Sequence, residues 1–512
     1  MTSRVLSCAT LGIDAYIVHI EADISRRLPS FSVVGLPDST VKESRDRVMA
    51  AIKNAGRTFP TNRITVNLAP ADIRKEGSAF DLPIAIGIIA AMGDSISPEK
   101  LSQYLILGEL ALDGTVRPVR GALSMAVEAK KAGLKGLLVP VENAREAAIT
   151  GGLDVLPVRD LSEALDFFEG YCDIMPFEIN SQAIFRQARM HRVDFRDVRG
   201  QEHAKRALEV AAAGAHNAIL MGPPGSGKTM LARRLPTILP DLTLDEALQT
   251  TKIHSVAGLL PPDTALVAVR PFRSPHHTIS DAGLIGGGPY PRPGEVSLAH
   301  HGVLFLDELP EFKKQVLESL RQPIEDSFVT IARAAMSLSY PAQFMLVCAM
   351  NPCPCGYLGD PHHECICSPP VVQRYVNRIS GPLMDRIDIH VEAPAVQYEE
   401  LANEPAGESS AEVRKRVQAA RQIQLERFAD YSDLFSNAHM GSREIRMFCK
   451  IDDRSEELLR MAITRLGLSA RAYDRILKAS RTIADLEGEE DIQSRHVAEA
   501  IQYRSLDRRL WE

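Results

Sequence analysis

The stretch that decides the fold is Gly222-Pro223-Pro224-Gly225-Ser226-Gly227-Lys228-Thr229. It fits the pattern G-x-x-x-x-G-K-S/T in full, in which glycines let backbone N–H groups converge on phosphate oxygens. The lysine of this pattern reaches the terminal phosphates, and the hydroxyl of the last residue binds Mg²⁺. Residues 218–221 predict a strand before the loop, and residues 230–239 predict a helix after it. The expected nucleotide ligands are Gly222, Gly225, Ser226, Gly227, Lys228 and Thr229.

Two further buried strands are predicted downstream, and each ends in polar residues. Residues 303–306 are followed by Asp307 and Glu308, and residues 344–349 are followed shortly by Asn351. Strands in this rhythm form a parallel sheet that binds ligands at the carboxyl ends of its strands. Asp307 is expected to hold the metal through water, and Glu308 to activate the attacking water. The sequence therefore predicts Mg²⁺-dependent hydrolysis of ATP.

Three short runs carry a resemblance to a known family. Pro271–His277, Leu284–Gly288 and Pro293–Glu295 resemble the magnesium-chelatase-like branch of the AAA+ ATPases. The similarity to the YifB/ComM group within that branch extends over essentially the whole chain. The resemblance implies an α/β AAA+ P-loop domain with a parallel sheet and a helical lid, and it implies ATP and Mg²⁺ as ligands.

The same resemblance implies roles for three more residues. Asn351 would be sensor 1, Arg386 the arginine finger that enters a neighbouring subunit's site, and Arg471 sensor 2. A finger donated in trans makes hydrolysis depend on the neighbour, so the family implies a homo-hexamer. The other interpretation of Arg386 is a salt bridge to Asp385 or Asp388.

The pattern of the chain predicts four parts. Residues 1–170 alternate β-like runs with helices, 171–195 form a linker, 196–395 form the AAA+ ATPase core, and 396–512 form the helical lid. The predicted strands of the first part lie at 32–35, 64–68 and 136–140, and the predicted helices of the last part lie at 411–428, 470–487 and 494–503.

The first part resembles the Lon protease domain, an α+β fold. Residues 107–114 and 116–133 follow the final strand, turn and helix of Lon. Active Lon enzymes use a serine nucleophile and a lysine base. The alignment places Asp81 near the serine position and Leu123 at the lysine position, and Ser78 is three residues away from the former. We therefore expect a Lon-protease-like domain without the catalytic dyad and without peptidase activity.

Four of the eight cysteines lie close together in sequence. They form two C-x-C pairs, Cys353 with Cys355 and Cys365 with Cys367. Four thiolates can surround Zn²⁺ tetrahedrally and order a polar loop, with His362 and His363 as substitute ligands. Reduced thiols without a metal and a redox-active pair are the other two interpretations.

The segment 325–344 bears on what the ATPase acts on. It predicts a β-hairpin just before Asn351, and in the related MCM helicases a basic residue at the tip of this hairpin contacts the DNA backbone. The resemblance places Arg333 at that tip, and residues 273–288 resemble the helix-2 insert, a second pore element. A basic tip moved by hydrolysis can track phosphates. We therefore expect a hexameric helicase or branch-migration translocase on single-stranded or branched DNA, acting in homologous recombination or natural transformation.

Two other functions compete with this hypothesis. A protein remodeller would need an aromatic residue in the pore, and Phe328 is close to the hairpin. A motor subunit of the magnesium-chelatase type is the second rival, but such subunits lack the Lon-like front domain.

Composition sets wider limits. The hydrophobic fraction of 45% and the charged fraction of 24% are ordinary for a folded domain, and the net charge of −7 does not identify a nucleic-acid binder. The longest apolar run, 82–93, is shorter than the about 20 residues of a membrane-spanning helix. The N-terminus lacks the apolar stretch of a signal peptide. We therefore expect a cytoplasmic protein with no membrane partner.

Overall fold

The structure is a computed structural model that describes residues 2–73, 75, 77–93, 95–180, 184–185, 193–261, 264–288, 291–332, 337–360, 362–395, 407–431, 434–467 and 469–504. Its contacts divide the chain into two units. The first comprises Met1–Arg186 and Ala247–Val267, and the second comprises Gln187–Glu246 and Ala268–Glu512. Ala247–Val267 thus packs with the first unit, although the sequence prediction includes it in 196–395. The predicted boundaries at 170, 195 and 395 stay predictions.

The first unit is built on a mixed β-sheet. Its strands are β1 (Thr2–Leu11), β2 (Asp14–Ser25), β3 (Ser30–Val34), β4 (Arg63–Ala69), β5 (Tyr104–Ile106), β6 (Glu109–Leu110), β7 (Val116–Arg117), β8 (Gly136–Pro140) and β9 (Asp154–Val158). The described strands of the main sheet are ordered β3-β4-β2-β1-β5-β8-β9, and β6 pairs separately with β7. β2 is antiparallel to both β1 and β4, whereas the outer pairs are parallel. The three predicted strands correspond to β3, β4 and β8.

The helices of this unit lie between the strands. They are α1 (Ser39–Asn54), α2 (Asp81–Ala90), α3 (Pro98–Gln103), α4 (Ala122–Lys131), α5 (Val141–Ala147) and α6 (Leu161–Glu169). α1 begins where the Asp38 carboxylate accepts a hydrogen bond from the Val41 N–H at 2.7 Å, and Gly56 follows its end with φ +73°. Strands with interspersed helices in a mixed sheet confirm the expected α+β class.

The two positions that a Lon-type dyad would occupy hold structural residues. Asp81 is buried at the start of α2, where it accepts hydrogen bonds from Ser44, from Arg47 Nε at 2.6 Å and from the Leu110 N–H at 3.2 Å. Burial raises the pKa of Asp81, and these partners oppose the rise. Leu123 is fully buried in α4. A paired carboxylate and an apolar core residue offer neither a nucleophile nor a base at these two positions.

The second unit is built on a parallel sheet. Its strands are β10 (Ala218–Met221), β11 (Phe272–Arg273), β12 (Gly286–Gly287), β13 (Arg292–Pro293), β14 (Val303–Leu306), β15 (Phe328–Ala332), β16 (Ser337–Pro341), β17 (Met345–Met350) and β18 (Ile389–Glu392). The described sheet is ordered β11-β14-β17-β10-β18, with every neighbouring pair parallel. All residues of β10, β14 and β17 are buried, as a parallel sheet covered on both faces requires. The predicted parallel sheet is confirmed.

Helices surround this sheet and form most of the C-terminal part. The remaining helices of the chain are α7 (Glu202–Gly214), α8 (Lys228–Arg234), α9 (Leu244–Ala257), α10 (Asp281–Ile285), α11 (Glu295–Leu298), α12 (Lys314–Ser319), α13 (Arg321–Asp326), α14 (Pro369–Val376), α15 (Gly381–Met384), α16 (Ser410–Arg427), α17 (Ser442–Phe448), α18 (Asp453–Leu466), α19 (Ala470–Glu487) and α20 (Ser494–Gln502). α9 contributes residues to both units. α16, α19 and α20 match the predicted helices within a residue. None of the helices formed by described residues has the length and apolar character needed to cross a membrane.

One predicted helix is wrong in its extent. The prediction placed a helix over 230–239, but α8 begins at Lys228 and ends at Arg234, and a 3₁₀ turn over Leu235–Thr237 follows. Pro236 explains the early end, because proline has no N–H to donate and its ring clashes with the carbonyl one turn earlier. The helix therefore starts inside the glycine-rich motif and is short.

A buried ionic cluster joins the C-terminal helices to the sheet. Asp388, which is 6% exposed and immediately precedes β18, accepts a hydrogen bond from the Asn217 N–H at 3.0 Å beside the start of β10. Its carboxylate also pairs with Arg475 on α19 and lies 3.5 Å from His216 Nδ1. Burial alone would raise the pKa of Asp388, but Arg475 and His216 outweigh it and lower this pKa well below its usual range. The cluster therefore fixes α19 against the amino end of the sheet.

We predict that Asp388→Asn destabilises the second unit, because the substitution leaves Arg475 buried without its counter-charge. The expected loss is about 3–5 kcal/mol, measured as a lower thermal midpoint at pH 7. Because the native pKa of Asp388 is depressed, its stabilising effect is present above pH about 4 and declines below it, so the difference between variant and wild type should shrink there. Asp430→Asn, at an exposed carboxylate, is the control. Equal midpoints for the two variants would contradict the role given to Asp388.

Candidate nucleotide-binding site

The glycine-rich loop follows β10 and has a backbone that few other residues would permit. A Cβ atom on Gly222 would lie 1.9 Å from the carbonyl oxygen of Ala393, so no side chain fits there. Gly225 and Gly227 have φ of +78° and +86°, the left-handed region that favours glycine. The Gly222 N–H also donates to the Met350 carbonyl at 3.3 Å, which ties the loop to the end of β17. The loop is thus a shaped cradle at the carboxyl edge of the sheet.

Lys228 is buried at the start of α8 with neutral partners. Its Nζ donates to the carbonyls of Gly222 and Pro223, both at 2.8 Å, and lies 3.3 Å from Ser226 Oγ. Burial lowers the pKa of Lys228. Among the described residues, no carboxylate forms a salt bridge with this ammonium group. A buried cation beside converging backbone N–H groups fits an anion such as a nucleotide phosphate.

Thr229 and the two acids lie together at the same edge. The Thr229 hydroxyl donates to Asp307 Oδ2 at 2.7 Å, and the other oxygen of Asp307 accepts from the Glu308 N–H at 3.0 Å. Asp307 and Glu308 directly follow β14, and Glu308 has φ +55°, an uncommon left-handed conformation for a residue with a side chain. A hydroxyl and a carboxylate are oxygen ligands of the kind that Mg²⁺ prefers. The donor set therefore fits the metal that accompanies a nucleotide.

Asn351 directly follows β17, which lies between β14 and β10 in the sheet. Its backbone therefore stands between the acids that follow β14 and the loop that follows β10. The structure thus brings Gly222 to Thr229, Asp307, Glu308 and Asn351 together at one edge.

Arg386 and Arg471 lie at the opposite edge of the sheet. The backbone carbonyl of Arg386 accepts a hydrogen bond from Asn217 Nδ2 at 3.0 Å, and Asn217 precedes β10. Arg471 Nη1 lies 3.9 Å from Asp385, the residue next to Arg386. The length of β10 separates these arginines from the loop that follows Met221, about 13 Å for four residues of strand. The structure does not bring the two arginines into the nucleotide cluster of their own chain.

Arg386 has a partner that the sequence interpretation missed. Its guanidinium pairs with Glu325 on α13 and donates to the Pro382 carbonyl at 2.5 Å. The open alternative of a salt bridge to Asp385 or Asp388 is therefore replaced by an ion pair with Glu325. Burial lowers the pKa of Arg386, and Glu325 opposes the change. Its Nε is buried without a hydrogen-bond partner, so part of this cation is unsatisfied within the described chain.

The four clustered cysteines converge after β17. Their Sγ atoms lie within 4.8 Å of one another, and three of the separations are 3.3, 3.7 and 3.6 Å. His363 points elsewhere, with its Nδ1 3.5 Å from Asp360. In the same loop, a Cβ atom on Gly356 would lie 2.5 Å from Cδ of Pro224 in the glycine-rich loop. The cysteine loop and the nucleotide loop are therefore in direct contact.

The hairpin β15–β16 is present as predicted. Val329 pairs with Tyr340 in an antiparallel register, and the Ala342 N–H donates to the Ser327 carbonyl at 2.8 Å at its base. Phe328 is 42% exposed on the first strand. Arg333 lies outside the described residues, so its assignment remains a prediction from sequence.

Family models match most of the chain. A model described as magnesium chelatase, subunit ChlI, matches residues 194–401; one described as subunit ChlI of Mg-chelatase matches 20–143; and one for the C-terminal part of ChlI matches 407–504. Lon protease 2 of Bacillus subtilis is 34% identical over 157 residues, 28% of this chain and 27% of its own. This similarity agrees with the expected Lon-like domain.

Two relatives match over nearly the full length. Competence protein ComM of Haemophilus influenzae is 45% identical over 510 residues, which are 99% of this chain and 98% of the relative. The protein YifB of Escherichia coli K12 is 45% identical over 506 residues, 98% and 97% of the two chains. The chain therefore belongs to the magnesium-chelatase-like YifB/ComM family of AAA+ ATPases.

Proposed function

We propose that the chain is an ATP-driven, hexameric DNA motor of the cytoplasm, a helicase or branch-migration translocase that acts in homologous recombination or natural transformation. The observation that carries a motor is connectivity: the hairpin β15–β16 leads within a few residues into β17, the strand that ends at Asn351. An element that contacts a polymer is thus attached to the hydrolysis site. The name of the relative from Haemophilus influenzae, a competence protein, supports DNA as that polymer.

The nucleotide cluster supplies the groups for hydrolysis. The loop N–H groups and Lys228 bind the phosphates, because the buried ammonium has only neutral oxygens around it. Mg²⁺, held by Thr229 and by Asp307 through water, would neutralise charge on the phosphates. Glu308 accepts the proton of the attacking water, and Asn351 orients that water or the terminal phosphate.

Arg386 completes the site of a neighbouring subunit. It lies at the amino edge of the sheet, opposite its own glycine-rich loop, and its Nε is buried without a partner. A guanidinium in that place can reach a phosphate only on another copy of the chain. Arg471, beside Asp385 at the same edge, is suited to the same neighbouring site. Such donation in one direction closes into a ring, for which we propose six copies.

The hairpin provides the contact to DNA in this proposal. Its inner residues Val329, Ile331 and Tyr340 are buried, so the strands form a firm base for the tip. Arg333 is placed at that tip by the family resemblance, where it would contact backbone phosphates without reading the bases. A protein remodeller is the second candidate, because the exposed aromatic ring of Phe328 on the same hairpin is the kind of group that engages a polypeptide. Subunits of the magnesium-chelatase type remain the third.

We also propose that the four cysteines hold one structural Zn²⁺. A tetrahedral site with Zn–S bonds of about 2.3 Å requires sulfur atoms about 3.8 Å apart, and the observed separations of 3.3–3.7 Å are close to that value. Zinc would fix a loop that touches Pro224 and thereby support the nucleotide loop. Free thiols and a redox pair are the competing states.

The trans arrangement predicts complementation. Arg386→Ala should assemble and bind ATP but lose most hydrolysis, and mixing it with Lys228→Ala should restore part of the turnover, because some interfaces then contain an intact finger and an intact loop. The measurement is ATPase rate against mixing ratio, with each variant alone as the control. Hybrid rings with no recovered turnover would show that Arg386 does not act in trans.

The zinc site predicts a metal content of about one Zn²⁺ per chain in protein purified without chelators. Cys353→Ser should lower the zinc content and raise the KM for ATP, because the loop behind Pro224 loses its anchor. Cys172→Ser, outside the cluster, is the matched control. Wild-type protein without zinc, together with an unchanged KM in Cys353→Ser, would favour the free-thiol state.

The function itself is tested by the polymer that stimulates ATP hydrolysis. We expect single-stranded DNA or a synthetic four-way junction to raise the turnover, and unfolded polypeptide to leave it unchanged. Arg333→Ala should keep basal turnover and lose DNA stimulation and junction movement, with a smaller salt dependence of binding; Glu308→Gln, which should bind ATP but hydrolyse it poorly, is the control for turnover. Stimulation by polypeptide alone would establish the remodeller instead, and normal junction processing by Arg333→Ala would reject the hairpin contact.

A further inference from the structure

The register of two parallel strands selects the residue that stands beside Glu308. In the pair β11–β14, Phe272 is opposite Val303 and Arg273 is opposite Leu304. Continuing the same offset along both chains brings His277 level with Glu308. The side chains do meet there, with His277 Nδ1 3.5 Å from Glu308 Oε2. The contact is therefore a consequence of strand pairing and not of one rotamer alone.

The ring of His277 is fixed from two sides. The ring of His276 lies 4.1 Å away between centroids, and the ring of Phe312 contacts it edge-on at 6.4 Å. Phe312 is buried, whereas the Glu308 side chain is 62% exposed. His277 is thus the more constrained member of the pair, and the carboxylate is the member that can move.

The backbone of Glu308 adds to this picture. Its φ of +55° is a conformation that residues with side chains seldom adopt and that recurs at functional sites. In this conformation the carboxylate extends toward the segment that follows β11. A base engaged by His277 is held by that segment as well as by its own strand.

The segment that carries His277 also contacts the hairpin β15–β16. At its far end, a Cβ atom on Gly286 in β12 would lie 2.6 Å from Cδ1 of Ile331 in β15. The Tyr340 hydroxyl of β16 donates to the Pro291 carbonyl at 2.8 Å, next to β13, which pairs with β12. A displacement of the hairpin therefore pushes on the same segment that holds Glu308.

We propose that His277 is a positioning residue that restrains Glu308 at rest, and that movement of the hairpin releases the carboxylate for hydrolysis. This proposal rests on the proposed function for the identity of the polymer that moves the hairpin. His277 does not touch the reacting atoms; it sets the fraction of time for which the base is free. The released state hydrolyses ATP, so the polymer and the nucleotide site are linked through this contact.

The test is steady-state ATPase kinetics of His277→Ala, His277→Asn and His276→Ala. Without DNA, His277→Ala should raise kcat several-fold with little change in KM for ATP, because binding is untouched and the base is freed. His277→Asn should fall between wild type and His277→Ala, since its amide can still donate to the carboxylate. His276→Ala, which removes a stacked ring without a contact to Glu308, should have the smaller effect.

Three results would overturn the restraint. One is a lowered kcat in His277→Ala, resembling Glu308→Gln, which would make His277 a support for catalysis. The others are an unchanged kcat, or equal changes in His277→Ala and His276→Ala. Because these assays contain no DNA, wild-type protein that ignores DNA would reject the proposed function without deciding this contact. With DNA, the stimulation factor should shrink in His277→Ala by the factor that its basal rate has gained.

Discussion

Parallel pairing of β10 with β17 on one side and β18 on the other is the constraint on which the rest of the second unit depends. It gives the sheet two chemically different edges. At the carboxyl edge lie the glycine-rich loop, the acids after β14, Asn351 and the cysteine loop; at the amino edge lie Arg386, Asp388 and Arg471. Because the central strands are buried throughout, neither set can shift relative to the other without breaking the core.

This separation makes one chain incomplete as a hydrolysis machine. The cluster at the carboxyl edge has a phosphate cradle, oxygen ligands and a base, but the arginines that would stabilise developing charge face away from it. Glu325 now pairs with Arg386, and it lies on the helix that leads into the hairpin β15–β16. The finger, the hairpin and the base are thus linked by short stretches of chain, which is the arrangement that a coupled ring needs.

Buried polar groups keep the C-terminal helices in place. Besides Asp388, the guanidinium of Arg421 on α16 donates to the carbonyls of Ala212 and Ala213 near the end of α7, where a helix carries partial negative charge. Burial lowers the pKa of Arg421 to about 9. These contacts connect α16 and α19 to the core, so the helical part and the sheet form one hydrophobic cluster among the described residues.

The sequence by itself determined the glycine-rich loop, the strand before it, the acids after β14, the parallel sheet and the long C-terminal helices, because each depends on local pattern: glycines, apolar runs and helical periodicity. It also indicated the hairpin and the family. It misjudged the end of α8, where Pro236 stops the helix. Only the tertiary structure decided that Arg386 pairs with Glu325, that His277 meets Glu308, that the four thiols converge beside Pro224, and that Ala247–Val267 packs with the first unit. These contacts join residues far apart in the chain, and which of them meet is set by strand order and register, which no local pattern encodes.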